Sequence, residues 1–338
     1  MRTPQRFLGW SLLLVVALGA GSLPVAAQSP VASPIGSPSP MASVDPSAAP
    51  SASREPSASP LPPPEVKLLD AGRKPRKPLR FRYTAGTAET FVIDMTQSAT
   101  TAADGVPGAA VLLPTLRYTM SLVVTTGEAD GSATTVTTVT AIDVLPREGV
   151  DQAVIDRLGA ALTPLVGYQV TATIDTRGQS TNVSSQAPEG LDPAQVEQLD
   201  QVMGQANQLS TTLPEEPVGV GARWAIESSV ELMGLRLGSR QVTTLRRVKG
   251  DILDLRTHGT QHSDPGSVDL AGVPEGYAAT LVSLAGTSTL NQRVDLSRIE
   301  VTGGGGGTVS MSLSLTNGTD THTSDTTVTT ALTIAHPD

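Results

Sequence analysis

The sequence predicts an α+β protein, mostly β: a wide, curved antiparallel sheet, half-barrel-like, with two helices packed on one face. Three observations predict it. Apolar and polar residues alternate with a period of two through most of the chain after Leu79. Threonine fills the polar positions of that alternation, and its branched side chain suits a pleated surface with one wet face. Only two segments change to a helical period, and no regular strand–helix–strand alternation appears, which argues against a doubly wound parallel sheet.

The elements follow in chain order. Arg2 and Arg6 precede an apolar stretch from Phe7 to about Ala20, Pro24 interrupts it, and Val25-Ala26-Ala27 supplies small residues for cleavage before Gln28. Residues 1–27 therefore read as a secretory signal. The same run approaches the ~20 residues that span a bilayer, so an uncleaved anchor is the alternative. Either reading places the rest outside the cytoplasmic membrane, secreted or membrane-tethered. Residues 28–66 are rich in Ser, Pro and Ala, and 12 of the 26 prolines fall between Pro24 and Pro64. Such a linker buries too little apolar surface to offset its ordering entropy. Extended at ~3.1 Å per residue, it spans on the order of 100 Å.

A basic hinge is expected over 67–82, where Lys67, Arg73, Lys74, Arg76, Lys77, Arg80 and Arg82 hold seven of the 23 basic residues. After Tyr83 the chain has 13 basic and 28 acidic residues, so the body carries 13 − 28 = −15. A basic strip beside an acidic body can meet anionic envelope polymers or lipid headgroups. A solvated hinge is the plainer reading.

The globular domain is expected over 79–338. Tyr118, Met120, Leu122 and Val124 share one face of a strand, and Gly127 to Gly131 signals the turn to its partner. Tyr168 to Ile174, Trp224 to Leu232, Val309 to Leu315 and Val328 to Ile334 repeat the pattern. Weaker strands are expected at Val242 to Arg247, Ile252 to Thr257, Ala278 to Leu284 and Val294 to Val301. Val154, Leu158, Leu162 and Leu165 form the apolar stripe of the first helix; Val196, Leu199, Val202, Met203, Ala206 and Leu209 form that of the second. Asp192 can cap the second helix, with Pro193 at its first position and Gln195 three residues after the cap. Five consecutive glycines, Gly303 to Gly307, read as a flexible hairpin loop, since no helix follows them to make a phosphate cradle.

Much chemistry is missing. There is no cysteine, so disulfides, thiolate metal sites and thiol nucleophiles are ruled out, and four histidines leave little for acid–base work. No Gly-x-Ser-x-Gly elbow, phosphate-binding loop or His-Glu-x-x-His pattern occurs. His258 and His262 are four apart, but Gly259 intervenes and the context is strand running into an Asp264-Pro265-Gly266 turn. On a helix that spacing would set both rings on one face; here it does not suggest a metal. A net charge of −9 argues against nucleic acid, and 3% aromatic residues are too few for a base- or sugar-stacking platform. No catalytic residue, cofactor or metal is expected.

The segment Leu213-Pro214-Glu215-Glu216-Pro217-Val218-Gly219-Val220-Gly221-Ala222-Arg223-Trp224 resembles the "LP…PVGVG…W" signature of a family of exported bacterial proteins without assigned function, and Ile174-Asp175-Thr176-Arg177-Gly178 is also similar. That resemblance implies long antiparallel strands after Trp224 and transfers no catalytic residue. The element order is similar, at the level of fold alone, to the half-barrel lipoprotein carriers of the cell envelope. These carriers hold acyl chains between a curved sheet and helices. The expectation is a non-enzymatic exported or envelope domain that binds a lipid or other hydrophobic ligand in a cavity lined by Leu158, Leu162, Val196, Val202 and Trp224. The alternatives are a plain core role for Trp224 and, for the whole protein, an interaction module carried on a Pro/Ser-rich stalk.

Overall fold

A computed structural model describes residues 65–188, 190–191, 211–232, 235–268, 273 and 276–337. Among these the chain is a wide, open antiparallel sheet with one short helix. The strands are β1 (Glu65–Asp70), β2 (Ala88–Ala103), β3 (Val106–Pro107), β4 (Val111–Leu112), β5 (Thr115–Gly127), β6 (Ala133–Leu145), β7 (Gln169–Ile174), β8 (Ser180–Gln186), β9 (Arg223–Leu232), β10 (Leu235–Lys249), β11 (Ile252–Ser263), β12 (Gly266–Val268), β13 (Ala278–Asp295), β14 (Glu300–Thr316) and β15 (Thr321–Ala335). They lie in the order β1-β9-β10-β11-β13-β14-β15-β2-β5-β6-β7-β8, with β12 beside β13 and with β3 and β4 beside β2. Hairpins build both halves, and the C-terminal β15 pairs with β2 to join them.

The period-two pattern decides which face is buried. Leu253, Leu255 and Thr257 of β11 point inward, as do Leu290, Gln292 and Val294 of β13, while Arg256, His258 and Thr260 point out. The inner face carries three apolar clusters. One surrounds Trp224, with Leu79, Phe81, Leu213, Val218, Leu245 and Leu253. A second joins Leu237, Val268, Leu281, Leu284 and Val309. The third lies on the β2–β7 half around Ile93, Met120, Val139 and Tyr168.

The helix, α1, spans Gln152–Leu162 and packs on β6. Asp151 caps it, accepting from the Ala153 amide, and Pro164 ends it. The buried residue of its stripe is Ile155, with Leu158 and Leu162 half-buried; Val154, expected on that stripe, is exposed. A helix rotates about 100° per residue, so moving the stripe by one position turns Val154 to the edge of the contact. The two-helix arrangement is not supported by the described residues, which hold this helix alone; the second helix, expected from Pro193 to about Leu209, lies outside them. No described helix is long and apolar enough to cross a membrane.

Three stretches differ from their sequence readings. Val294 to Val301, expected as one strand, holds the turn between β13 and β14, since β13 ends at Asp295 and β14 starts at Glu300. The basic stretch is no free hinge: Lys67 sits in β1 opposite Ala225, and the connector after it bonds to the 218–220 segment through Arg73 N to Val220 O and Lys77 N to Val218 O, both 3.0 Å. Backbone pairing fixes this stretch, and its side chains add to the hold: Lys77 Nζ donates to Gly250 O at 3.2 Å, and Arg82 pairs with Asp251. The same connector reaches the β7–β8 turn, where Phe81 N donates to Thr176 O at 2.7 Å and Tyr83 Oη donates to Asp175 O at 2.9 Å.

The five glycines form no loop. They occupy the middle of β14, where Gly303, Gly305 and Gly307 face Gln292, Leu290 and Ser288 of β13, and Gly304 and Gly306 face Thr333 and Ala331 of β15. A Cβ on Gly305 would overlap the Thr289 carbonyl oxygen, and one on Gly306 would lie 2.5 Å from that of Thr330. The backbones on both sides come so close that only glycine fits. Composition alone reads such a run as flexible because it cannot register the neighbouring strands.

Candidate functional site

The strand registers set the inner face out in rows. One row crosses six strands as Gln241–Gly259–Ser288–Gly307–Thr330–Gln97. All six residues are polar or lack a side chain, and the row passes between the apolar clusters. An adjoining pair, Thr243 and Thr257, shares a buried hydroxyl contact of 2.9 Å. The inner face is therefore not one continuous greasy surface.

Gln97 is the unusual member of this row. It is 3% exposed; its Nε2 donates to Thr330 Oγ1 at 3.2 Å, and its Oε1 has no hydrogen-bond partner. Flipping the amide would strand Nε2 instead, so either assignment leaves one polar terminus unmatched. A buried unmatched group costs about 1–3 kcal/mol. The double variant Gln97→Leu/Thr330→Val, which removes both polar partners, is expected to be more stable than the wild type by about 1 kcal/mol in urea denaturation. A lower midpoint would show that Oε1 is engaged in solution.

Nearer the β14–β15 turn the inner face becomes apolar again. Met311, Leu313 and Leu315 of β14 are half-buried and pack against the cluster of Leu281 and Leu284. Val268 and Val273 reach the same cluster from the segment after β11.

Among the residues predicted to line a cavity, Trp224 is 0% exposed and its Nε1 donates to Thr212 O at 2.9 Å. The signature segment packs around it. Leu213, Val218 and Ala222 are fully buried, and Gly219 lies so close to the 73–75 backbone that a Cβ would overlap the Arg73 carbonyl. Arg80 ties this segment down by donating to Pro214 O at 3.0 Å and to Glu215 O at 2.6 Å. The motif thus builds the core at one end of β9. Leu158 and Leu162 lie on α1, which packs on β6, and neither belongs to the Trp224 cluster. Val196 and Val202 lie outside the described residues.

The outer face carries a different feature. A shallow furrow of about 610 Å³ crosses β11, β13, β14 and β15. Its walls are the row Thr260–Thr287–Thr308–Thr329 and the pair His258 and Thr289, whose Nδ1 and Oγ1 are 3.1 Å apart. Sequence reading missed it, because facing residues in a row come from four different strands and meet only once the ladder registers are set. His258 and His262 both point outward on β11, and four residues of strand separate them by ~13 Å, too far to share one ion. Among the described residues no group of three or more metal-ligating side chains converges.

At the end of the sheet where β2 finishes, Asp104 joins two hairpins. Its Oδ2 lies 2.9 Å from His322 Nδ1, and its Oδ1 accepts from Thr323 N at 2.7 Å. The hydrogen bond to Asp104 raises the His322 pKa, and the same bond holds the Asp104 carboxyl below its ordinary value. The histidine contribution is present below its unfolded pKa and lost as pH rises through the folded one. The aspartate contribution is present above its unfolded pKa and lost as pH falls through the folded one. The stability gap between wild type and His322→Gln is thus expected to be widest between the two titrations and to close on both sides, as read by melting temperature against pH.

No family model matches the chain, and no curated protein matches it in sequence.

Proposed function

We propose that this is a non-enzymatic extracytoplasmic domain that holds a lipid or other hydrophobic ligand against the inner face of its sheet. The observation that carries the reading is the half-buried apolar run Met311, Leu313 and Leu315 beside fully buried neighbours. In a finished core those side chains would be closed off; an apolar surface left partly open suits a greasy partner. The polar row through Gln97 and Thr330 would then meet the ligand's polar end. The segment 192–209, with its amphipathic stripe, would serve as the roof of a half-barrel, as in the carriers whose element order this sequence resembles. The exported-protein signature from Leu213 to Trp224, and contact between the exposed Arg73, Lys74 and Arg76 and anionic envelope polymers, belong to the same proposal.

Native mass spectrometry of the exported chain, followed by solvent extraction, tests it. The expected result is a mass excess that extraction converts to a lipid-like species, with the excess reduced in Leu313→Asp. A wild-type chain that carries nothing and binds no added monoolein would end the reading. The N-terminal mass from the same experiment separates a cleaved signal from a retained anchor.

A further inference from the structure

We infer that the outer face of β9, β10, β11 and β13, at the end marked by Arg223, is a docking surface for a polyol-phosphate chain: an acyclic anionic polymer of phosphodiesters and hydroxyls. The inference carries onto the sheet the polymer contact proposed above for the connector, and it rests on that part of the reading. It does not depend on a ligand at the inner face.

The ladders gather charge that is scattered along the chain. Segments 67–82, 213–223, 244–256 and 291–300 are neighbours in space: β1 pairs with β9, β9 with β10, β10 with β11, and β11 with β13. The connector bonds to the 218–220 segment, and Lys77 Nζ reaches the β10–β11 turn at Gly250 O, 3.2 Å away. Together the four segments hold 14 of the 23 basic residues but 7 of the 32 acidic ones. This corner therefore carries 14 − 7 = +7, on a chain whose net charge is −9. A field of that sign concentrates polyanions at the corner and repels them from the rest of the body.

Within the corner, one outward row suits an extended chain. Arg223, Thr244, Arg256, Asn291 and Gly304 stand opposite one another on β9, β10, β11, β13 and β14. Two strand spacings, ~10 Å, separate the two arginines. Thr244 and Asn291 supply uncharged hydrogen-bonding groups, and Gly304 leaves the row open at its end. In the next row Asp254 stands between Arg247 and Arg293 and is taken by Arg247, whose Nε lies 2.6 Å from its Oδ2. Asp70, opposite Arg223 on β1, accepts from the Gly72 amide at 2.8 Å instead. Arg223, Arg256 and Arg293 are exposed, and among the described residues no ion pair or hydrogen bond engages their side chains. Free guanidinium groups are unexpected in a chain with excess carboxylate, and each can donate in parallel to two oxygens of one phosphate. Neither row contains an aromatic residue, so bases and sugar rings would find nothing there to stack on. That favours an acyclic repeat, whose hydroxyls meet Thr244 and Asn291, over nucleic acid.

The full-length protein is titrated into end-labelled poly(glycerol phosphate), with binding read by fluorescence anisotropy at several salt concentrations. The wild type is expected to bind, with an affinity that falls as salt rises. Arg223→Gln/Arg256→Gln is expected to weaken binding about tenfold or more and to make the salt dependence shallower. Arg157→Gln/Arg236→Gln makes the same charge change on α1 and at the opposite end of β10, and is expected to weaken binding less than about threefold. All four side chains are exposed, so both double variants should melt with the wild type. Equal weakening by the two double variants overturns the inference, as does tighter binding of single-stranded DNA of equal charge. Loss of binding in Arg73→Gln/Lys74→Gln/Arg76→Gln, with none in Arg223→Gln/Arg256→Gln, overturns the sheet site and leaves the connector contact standing. A wild type that does not bind the polymer ends both.

Discussion

Replacing Gly305 with valine is expected to destabilise the protein by about 3 kcal/mol. The new Cβ would overlap the Thr289 carbonyl oxygen and lie 2.8 Å from Leu290 Cα. Both are backbone atoms of β13, so no side chain can swing away. β14 cannot retreat either, because β15 lies on its other side, and Gly306 is already hemmed in by the Thr330 carbonyl. The strain must spread through the central strands or break the ladder locally. At roughly 2–4 °C per kcal/mol, the melting temperature should fall by roughly 10 °C. Gly127→Ala is the control: nothing lies within 4 Å of where its Cβ would sit, and the change should stay within about 0.5 kcal/mol. If Gly305→Val melted with the wild type, the central strands could not be packed this closely in solution.

Trp224→Ala is expected to be at least as damaging, at about 4 kcal/mol. The indole is fully buried among Leu79, Leu213, Leu245 and Leu253, residues drawn from the connector, the signature segment and two strands. Removing it opens a cavity where those elements meet, and the carbonyl of Thr212 loses its donor. Trp224→Phe restores most of the apolar volume but not the N–H, so its cost should be about 1 kcal/mol. The contrast between the two substitutions, read in urea denaturation, separates packing from hydrogen bonding. Equal and small losses would show that the ring is not enclosed as described.

Much of the fold was legible because alternation is a local signal. Val309, Met311, Leu313 and Leu315, like Val328 to Ile334, declare both strand and face without reference to any neighbour. The weaker candidates around Val242, Ile252 and Ala278 are parts of long strands, 15, 12 and 18 residues, and their full extent comes from ladder pairing rather than from their own pattern. β1 was missed for that reason: it is six residues long, falls where the Ser/Pro/Ala-rich linker meets the basic stretch, and is held by a single neighbour in the sheet. The buried face of α1 was misplaced by one residue because Val154 and Ile155 are equally apolar, and contact with β6 chooses between them.

The candidate site was far less legible. Trp224 stands out in any reading as a large anchor, yet nothing local says that it would meet Leu79 rather than Leu158. The inner polar row and the outer furrow exist only when six or four strands stand in register. What the sequence alone determined is the strand class, the apolar face of most strands and the list of chemistries the chain lacks, all of which depend on residue type and spacing along one strand. Tertiary structure alone decided that the glycine run is a clamped strand, that the basic stretch is tied down, and that the orphaned amide of Gln97 faces Thr330. Those outcomes depend on backbones brought together from separate strands, where space and hydrogen-bond partners are set by the neighbour and not by the segment itself.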